Sequence, residues 1–272
     1  MTSQTLLTDS KSLCMRRSRA VNEGLFLHDL ALDEMQDRMS LVNRTFNSIA
    51  VVSGFPHHWN KTLPGAICVP DEDVIDLEVT SHDVVIHGLA LHWANDPVGQ
   101  IIQCRRALKS DGLFLAAIFG GETLHELRSC LGQAEIEISG GLSPRIAPMG
   151  QIRDMGGLLQ RAGLALPVAD SQTTSVVYRD IWHLMQDLRA MGETNTLTSR
   201  LKTPTRRTIF ERANELYQNT FPAAQGGIIA TFEIVYLTGW APDDSQPQAL
   251  RPGSATTRLA DALKTEEKPL SD

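Results

Sequence analysis

The central part of the sequence alternates short apolar runs with segments in which apolar residues recur every three or four positions. The apolar runs cover residues 48–52, 83–88 and 113–119. Such runs are typical of strands buried on both faces, and the intervening periodicity is typical of amphipathic helices. The alternation therefore predicts an α/β fold with a mostly parallel sheet that is covered by helices on both faces.

The pattern changes after about residue 178. Two helical segments come first, and a long apolar run over residues 228–240 follows them. We expect residues 232–237 to form a final antiparallel strand, with the two helices as an insertion over about 179–222. This divides the chain into a flexible N-terminal arm (1–20), one domain (21–240) and a partly disordered tail (241–272) rich in Pro, Ser, Asp and Gln.

Composition excludes several classes of protein. The net charge of -7 disfavours nucleic acid as a partner, because an acidic chain repels phosphate. The four cysteines are far apart without a C-x-x-C pair, which disfavours a disulfide framework and a zinc site: Cys14, Cys68, Cys104 and Cys130. The histidines also lack metal-ligand spacing, so we expect no metal. No apolar run suits a secretory signal or a transmembrane helix, and we expect a cytoplasmic protein.

Several separate motifs carry a resemblance to a known family. Residues 92–97 (HWANDP) and 106–114 (RALKSDGLF) resemble BioC-type methyltransferases. Four further stretches resemble the branch of that fold that assembles respiratory complex I, namely residues 119–128 (FGGETLHELR), 140–146 (GGLSPRI), 187–195 (DLRAMGETN) and 251–256 (RPGSAT).

This resemblance implies a class I methyltransferase (Rossmann-like) fold. Its seven-stranded sheet would hold S-adenosylmethionine at the carboxyl edge. In the mitochondrial branch it further implies hydroxylation of an arginine in an iron–sulfur subunit of complex I. A respiratory or iron–sulfur protein subunit is therefore the expected partner.

The predicted methyl-donor site comprises Gly54, Asp71, Gly88 and Leu89. The fold needs a Gly-rich turn after its first strand so that the backbone approaches the donor closely. Here only Gly54 remains, and bulky residues that we expect to fill the cleft follow it: Phe55, His57, His58 and Trp59. Asp71 resembles the family's acidic residue near the adenine, and the structural alternative is a solvated loop acid.

The segment between Gly54 and Asp83 is also short. It cannot contain a full strand–helix–strand unit, so we expect one unit to be shortened or lost. Together with the single glycine, this predicts impaired binding of S-adenosylmethionine.

Five residues near the predicted carboxyl edge are candidates for catalysis or binding. His92 and Glu122 are the candidate catalytic residues, because histidine titrates near neutral pH and both follow predicted strands. Trp93, Arg128 and Arg145 are the candidate contacts to a substrate or partner. The structural alternatives are core packing for Trp93, a satisfied helix-start residue for His92 and a helix N-terminal acid for Glu122.

Two functions of different classes remain open. The first is an enzyme, either a methyltransferase or an arginine hydroxylase. The second is a catalytically silent relative that binds or assembles a protein partner. The motifs after residue 80 favour partner recognition and the eroded donor motif disfavours methyl transfer, so the sequence slightly favours the second.

Overall fold

The computed structural model describes residues 6–247, 254 and 257–265. It divides into two compact units, residues 1–242 and 243–272. The second unit contains a short helix, Leu259–Leu263. The motif over residues 251–256 lies outside the described residues except for Ser254.

The first unit is built from alternating helices and strands. Its described α-helices are α1 (Ser10–Arg17), α2 (Phe26–Leu41), α3 (Pro56–Thr62), α4 (Pro97–Ala107), α5 (His125–Ser139), α6 (Ile152–Arg161), α7 (Ile181–Ala190) and α8 (Arg207–Thr220). Its described strands are β1 (Ile49–Ser53), β2 (Ile67–Val69), β3 (His82–Gly88), β4 (Leu108–Phe119), β5 (Ala165–Tyr178) and β6 (Ile228–Trp240). Within the described residues, no helix is both long and apolar enough to span a membrane.

The strands form one mixed sheet in the order β2-β1-β3-β4-β6-β5. Strands β2, β1, β3 and β4 run parallel, whereas β6 is antiparallel to both of its neighbours. The predicted class I methyltransferase (Rossmann-like) α/β fold, mostly parallel with a final antiparallel strand, is therefore confirmed. Helices α7 and α8 lie between β5 and β6, within the segment expected to be an insertion.

The described residues form six strands where the resemblance implies seven. Only the seven-residue α3 and the three-residue β2 lie between β1 and β3. The strand–helix unit in this segment is therefore shortened, as expected. Strand β5, to which the sequence analysis assigned no strand, lies at the edge of the sheet and is largely exposed. Its mixture of polar and apolar residues gives no continuous apolar run.

The apolar runs are explained by packing on both faces of the sheet. Successive residues of a strand point to opposite faces. Val51 and Ile86 belong to the cluster that contains Leu32 of α2, whereas Val52 and Val85 belong to the cluster with Ile101 of α4. A central strand buried in this way has no solvent-facing side, so its central residues are apolar.

Residues 10–17 form α1 in place of the flexible arm expected over 1–20. The Asp9 side chain caps this helix by accepting a hydrogen bond from the Ser12 amide. The preceding backbone pairs with the segment after α7, through a bridge between Thr8 and Leu197 and the hydrogen bond from Asp9 N to Thr196 O at 2.9 Å. These contacts hold the N-terminal segment against the domain.

The buried histidine of β3 predicts an acid-sensitive fold. His87 is fully buried, and its Nε2 lies 2.9 Å from Gln100 Oε1. Burial lowers the pKa of His87 from 6.5 to about 4. Because the unfolded chain takes up a proton near pH 6.5 and the folded chain does not, this group destabilises the fold as pH falls below 6.5, by about 2 kcal/mol at pH 5.

We therefore expect His87→Gln to reduce the loss of stability between pH 7 and pH 5 by about 2 kcal/mol. Urea unfolding at each pH measures the free energy of unfolding. The matched control is His57→Gln, because His57 is exposed. An unchanged pH dependence in His87→Gln would contradict the neutral buried state of this ring.

Candidate functional site

The carboxyl ends of β1, β3 and β4 meet at one edge of the sheet. Ser53 pairs with Gly88, and Gly88 pairs with Ala117, so the segments that follow these strands are neighbours. Ligands of open α/β sheets bind outside this edge. Residues from distant parts of the chain meet here, and they form two adjoining regions of different character.

In the first region, a buried carboxylate is held against the short 3₁₀ helix Leu91–Trp93 that follows β3. Trp93 Nε1 donates a hydrogen bond to Glu193 Oε2 at 2.7 Å, and His92 Nε2 lies 3.2 Å from the same oxygen. The other oxygen, Glu193 Oε1, is buried and has no partner among the described residues. An unpaired buried acceptor is costly, and a hydrogen-bond donor beside this oxygen would offset that cost.

Glu193 is a charged carboxylate at neutral pH. Burial by itself raises the pKa of Glu193. Its electrostatic interaction and hydrogen bond with His92 lower the pKa, as do the charge of Arg17 and the hydrogen bond from Trp93, and together these effects outweigh burial. The pKa of Glu193 therefore lies below its ordinary value. Glu193 therefore carries a negative charge although its Oε1 atom has no hydrogen-bond partner among the described residues.

Glu193 lines a cavity of about 710 Å³ at this edge. The walls include the apolar side chains of Leu127, Leu131, Met149, Met185, Leu188 and Phe210. Arg16, Arg189 and Lys202 are among the polar lining residues, as is Thr194. Arg16 Nε and Thr194 Oγ1 are also buried without a partner. The cavity thus combines apolar walls with unmet hydrogen-bonding capacity.

In the second region, Arg17 of α1 packs against Gly54, at the turn after β1. Its Nη1 lies 2.7 and 2.9 Å from the two carboxylate oxygens of Asp71, and both side chains are only 9% exposed. A Cβ atom on Gly54 would lie 2.4 Å from Arg17 Cζ. The guanidinium therefore occupies the space into which the single glycine of this turn opens.

Trp59 fills the adjoining space beside β3. A Cβ atom on Gly88 would lie 2.3 Å from Trp59 Cζ2, and the indole is fully buried. Its Nε1 donates a hydrogen bond to His28 Nδ1 at 3.1 Å. Burial lowers the pKa of His28 to about 3, so this ring is neutral and can accept that bond.

The other residues expected to fill the cleft have different positions. The rings of Phe55 and His58 lie 5.0 and 6.3 Å from the His28 ring, so both contribute to the packing. His57 is exposed. Leu89, the last of the predicted donor residues, is buried and adopts a left-handed conformation with φ of 46°. Its amide donates to Ala117 O at 3.0 Å, which ties it to β4.

The structure separates the two candidate catalytic residues. His92 contacts Glu193, whereas the Glu122 side chain is 70% exposed and does not line the cavity. The Glu122 amide donates to Glu233 Oε2 at 3.0 Å, which holds this turn against β6. Of the two candidate catalytic residues, His92 therefore lies at the buried carboxylate of Glu193, whereas the Glu122 side chain is exposed.

The candidate partner residues also divide. Trp93 and Arg145 line the cavity, but Arg128 does not, because it donates to the backbone of its own turn at Thr123 O. Arg145 forms a paired contact with Glu135, at 3.0 Å from Nε to Oε2 and 2.6 Å from Nη2 to Oε1. Its charge is therefore neutralised, and it ties the loop over residues 140–146 to α5.

Three residues of the site were not identified from the sequence: Glu193, Thr194 and Arg17. The first two lie in the motif over residues 187–195, which was recognised without assigning them a role. Arg17 lies in a short basic run that was placed in the arm. Among the described residues, no group of three or more His, Cys, Asp or Glu side chains is arranged to hold a metal ion.

No protein-family model matches the chain. The chain is 33% identical over 247 residues to the arginine-hydroxylase NDUFAF5, mitochondrial, of Danio rerio, which covers 91% of this chain and 70% of that protein. For the Homo sapiens protein of the same name, the identity is 36% over 202 residues, or 74% of this chain and 58% of that protein. The malonyl-[acyl-carrier protein] O-methyltransferase of Gallionella capsiferriformans is 29% identical over 76% of this chain and 68% of its own length.

Solved structures give weaker likenesses. The YcgJ protein of Bacillus subtilis has a TM-score of 0.48 at 11% identity, covering 79% of this chain and 100% of its own. A SAM-dependent methyltransferase of Archaeoglobus fulgidus has a TM-score of 0.38 at 8% identity, covering 78% of this chain and 94% of its own. Neither is close enough to support a conclusion about this chain.

The comparisons overturn one expectation and establish the family. The NDUFAF5 relatives are named as mitochondrial proteins, so the expected cytoplasmic location is wrong. The matches to the Dictyostelium discoideum and mouse relatives span 48% and 59% of those longer proteins. With 33% identity over 91% of its length to the Danio rerio protein, the chain belongs to the family of the arginine-hydroxylase NDUFAF5.

Proposed function

We propose that the chain binds an arginine side chain of a protein partner in the cavity at Glu193, as the recognition step of a protein-arginine hydroxylase. The observation that carries this proposal is the Oε1 atom of Glu193, which is buried and unpaired on a charged carboxylate. A guanidinium is a permanently charged planar donor that matches carboxylate geometry. It would therefore satisfy this oxygen.

The surroundings of Glu193 suit the rest of an arginine side chain. The apolar wall formed by Leu127, Leu188 and Met191 can cover the aliphatic stem while the charged head reaches the carboxylate. Trp93 also lines the cavity and holds Glu193 in place through its indole N–H. A second acceptor, Thr194 Oγ1, is available within the same cavity.

Hydroxylation is the reaction that the name of the NDUFAF5 relatives supports. For the partner, we propose a respiratory or iron–sulfur protein subunit, as the sequence resemblance implies. In this proposal, the Glu193 carboxylate pairs with the guanidinium of the bound arginine. Trp93 and His92 hold that carboxylate in position.

We further propose that binding of S-adenosylmethionine is impaired. Three features support this: Arg17 packs on Gly54, Trp59 packs on Gly88, and the strand–helix unit between β1 and β3 is shortened. The alternative is an active S-adenosylmethionine-dependent methyltransferase, which the similarity to the malonyl-[acyl-carrier protein] O-methyltransferases favours.

Replacing the carboxylate by its uncharged isostere tests arginine recognition. We expect Glu193→Gln to weaken binding of a capped Gly-Gly-Arg-Gly-Gly peptide by about tenfold or more, because a buried charge pair loses one partner. Calorimetry or nuclear magnetic resonance titration measures the dissociation constant. The same peptide with citrulline in place of arginine, which lacks the charge, should bind the unaltered protein as weakly as arginine binds the variant.

The matched control is Glu122→Gln, because the Glu122 carboxylate is exposed and outside the cavity. This variant should bind the arginine peptide as the unaltered protein does. Equal affinity of the unaltered protein for the arginine and citrulline peptides would reject the proposed function.

Calorimetric titration with S-adenosylmethionine tests the donor site. We expect no saturable binding below roughly 1 mM, which corresponds to less than about 4 kcal/mol of binding free energy. The Gallionella capsiferriformans methyltransferase, titrated in the same way, is the positive control. Micromolar binding of S-adenosylmethionine by this chain would contradict the impaired donor site and favour the methyltransferase alternative.

A further inference from the structure

Three cationic side chains at the cavity lack a neutralising partner. Arg16 of α1, Arg189 of α7 and Lys202 all line it, and none forms an ion pair with another described residue. The two other arginines of the lining are neutralised, Arg145 by Glu135 and Arg200 by Asp9. The excess positive charge of the lining is therefore contributed by these three residues, which we call the cationic rim.

The cationic rim stands out against the charge of the whole chain. The protein carries a net charge of -7, yet three unpaired cations converge on one cavity from separate segments. A concave surface lined by one sign of charge concentrates the electrostatic field and attracts groups of the opposite sign. Arg16 Nε also needs a hydrogen-bond acceptor, because this buried N–H has none among the described residues. Both features fit an anionic group within the bound ligand.

Glu193 brings the opposite charge to the same cavity. Glu193 contributes a carboxylate with a free oxygen, whereas the cationic rim contributes Arg16, Arg189 and Lys202. A cavity of about 710 Å³ lies within the range of pockets that hold drug-sized ligands, so it admits more than one side chain. The complementary ligand has a central cation and carboxylates beside it.

We propose that the cationic rim selects a partner segment in which acidic residues flank the target arginine. This inference rests on the proposed function, and it names the sequence feature by which the same site distinguishes one arginine from another. A free polyanion such as a nucleic acid fits less well, because the carboxylate of Glu193 would repel it and the apolar walls would remain uncovered. Rim charges of this kind set specificity and association rate.

Three capped peptides test the inference on the whole 272-residue chain: arginine flanked by glycines, by two glutamates on each side, and by two lysines on each side. We expect the glutamate-flanked peptide to bind about tenfold more tightly than the glycine-flanked one at low salt, and the lysine-flanked peptide to bind most weakly. The glutamate advantage should shrink as salt is raised to 0.5 M, because exposed charges are screened.

Reversing the charge of the cationic rim provides the decisive variant. In Arg189→Glu/Lys202→Glu, the order of affinities should invert, so that the lysine-flanked peptide binds more tightly than the glutamate-flanked one. Lys61→Glu/Arg153→Glu is the matched control. It changes the net charge equally at two exposed positions outside the cavity, and it should keep the original order. Circular dichroism confirms that both variants fold.

The outcomes separate the two proposals. If the arginine peptide binds better than its citrulline counterpart but glutamate flanks add nothing, the cationic rim has no selective role and arginine recognition stands. If arginine and citrulline bind alike, the proposed function fails and this inference fails with it. Tighter binding of a short single-stranded oligonucleotide than of the glutamate-flanked peptide would also overturn the inference.

Discussion

The ion pair between Arg17 and Asp71 determines how the N-terminal helix meets the sheet. Both side chains are nearly buried. Removing one partner of a buried ion pair strongly destabilises the fold, because the other charge remains buried without a partner. With Arg17 fixed against Gly54 and Gly192, the neighbouring Arg16 lines the cavity. The backbone bridge from Thr8 to the segment after α7 completes this arrangement. The pair therefore keeps the Arg17 guanidinium in the space beside Gly54 while Arg16 lines the cavity.

The carboxyl edge of the sheet is used unequally along its length. Next to β1, side chains pack directly on the two glycines, Arg17 on Gly54 and Trp59 on Gly88. Next to β4, the edge opens into the cavity that contains Glu193. The short connection between β1 and β3 contributes to this difference, because its strand, β2, has only three residues. Along one edge of the sheet, side chains thus fill the space beside β1 and β3, whereas a cavity remains beside β4.

Much of the fold could be predicted from the sequence. Strands β1, β3, β4 and β6 each contain a run of buried apolar residues, and α5 has an apolar stripe at helical spacing. Strand β5 gave no such signal, because an exposed edge strand needs no continuous apolar face. Helix α1 was taken for an arm because one buried residue, Leu13, in eight leaves little periodicity.

The sequence by itself determined the fold class, the family motifs and the shortened unit, because these depend on local periodicity and on the number of residues between strands. The candidate site was decided only by the tertiary structure. Glu193 lies 100 positions from Trp93, and Arg17 lies 54 positions from Asp71. A contact between such distant residues leaves no local pattern in a single sequence. Folding alone brought His92 to Glu193 and left Glu122 exposed.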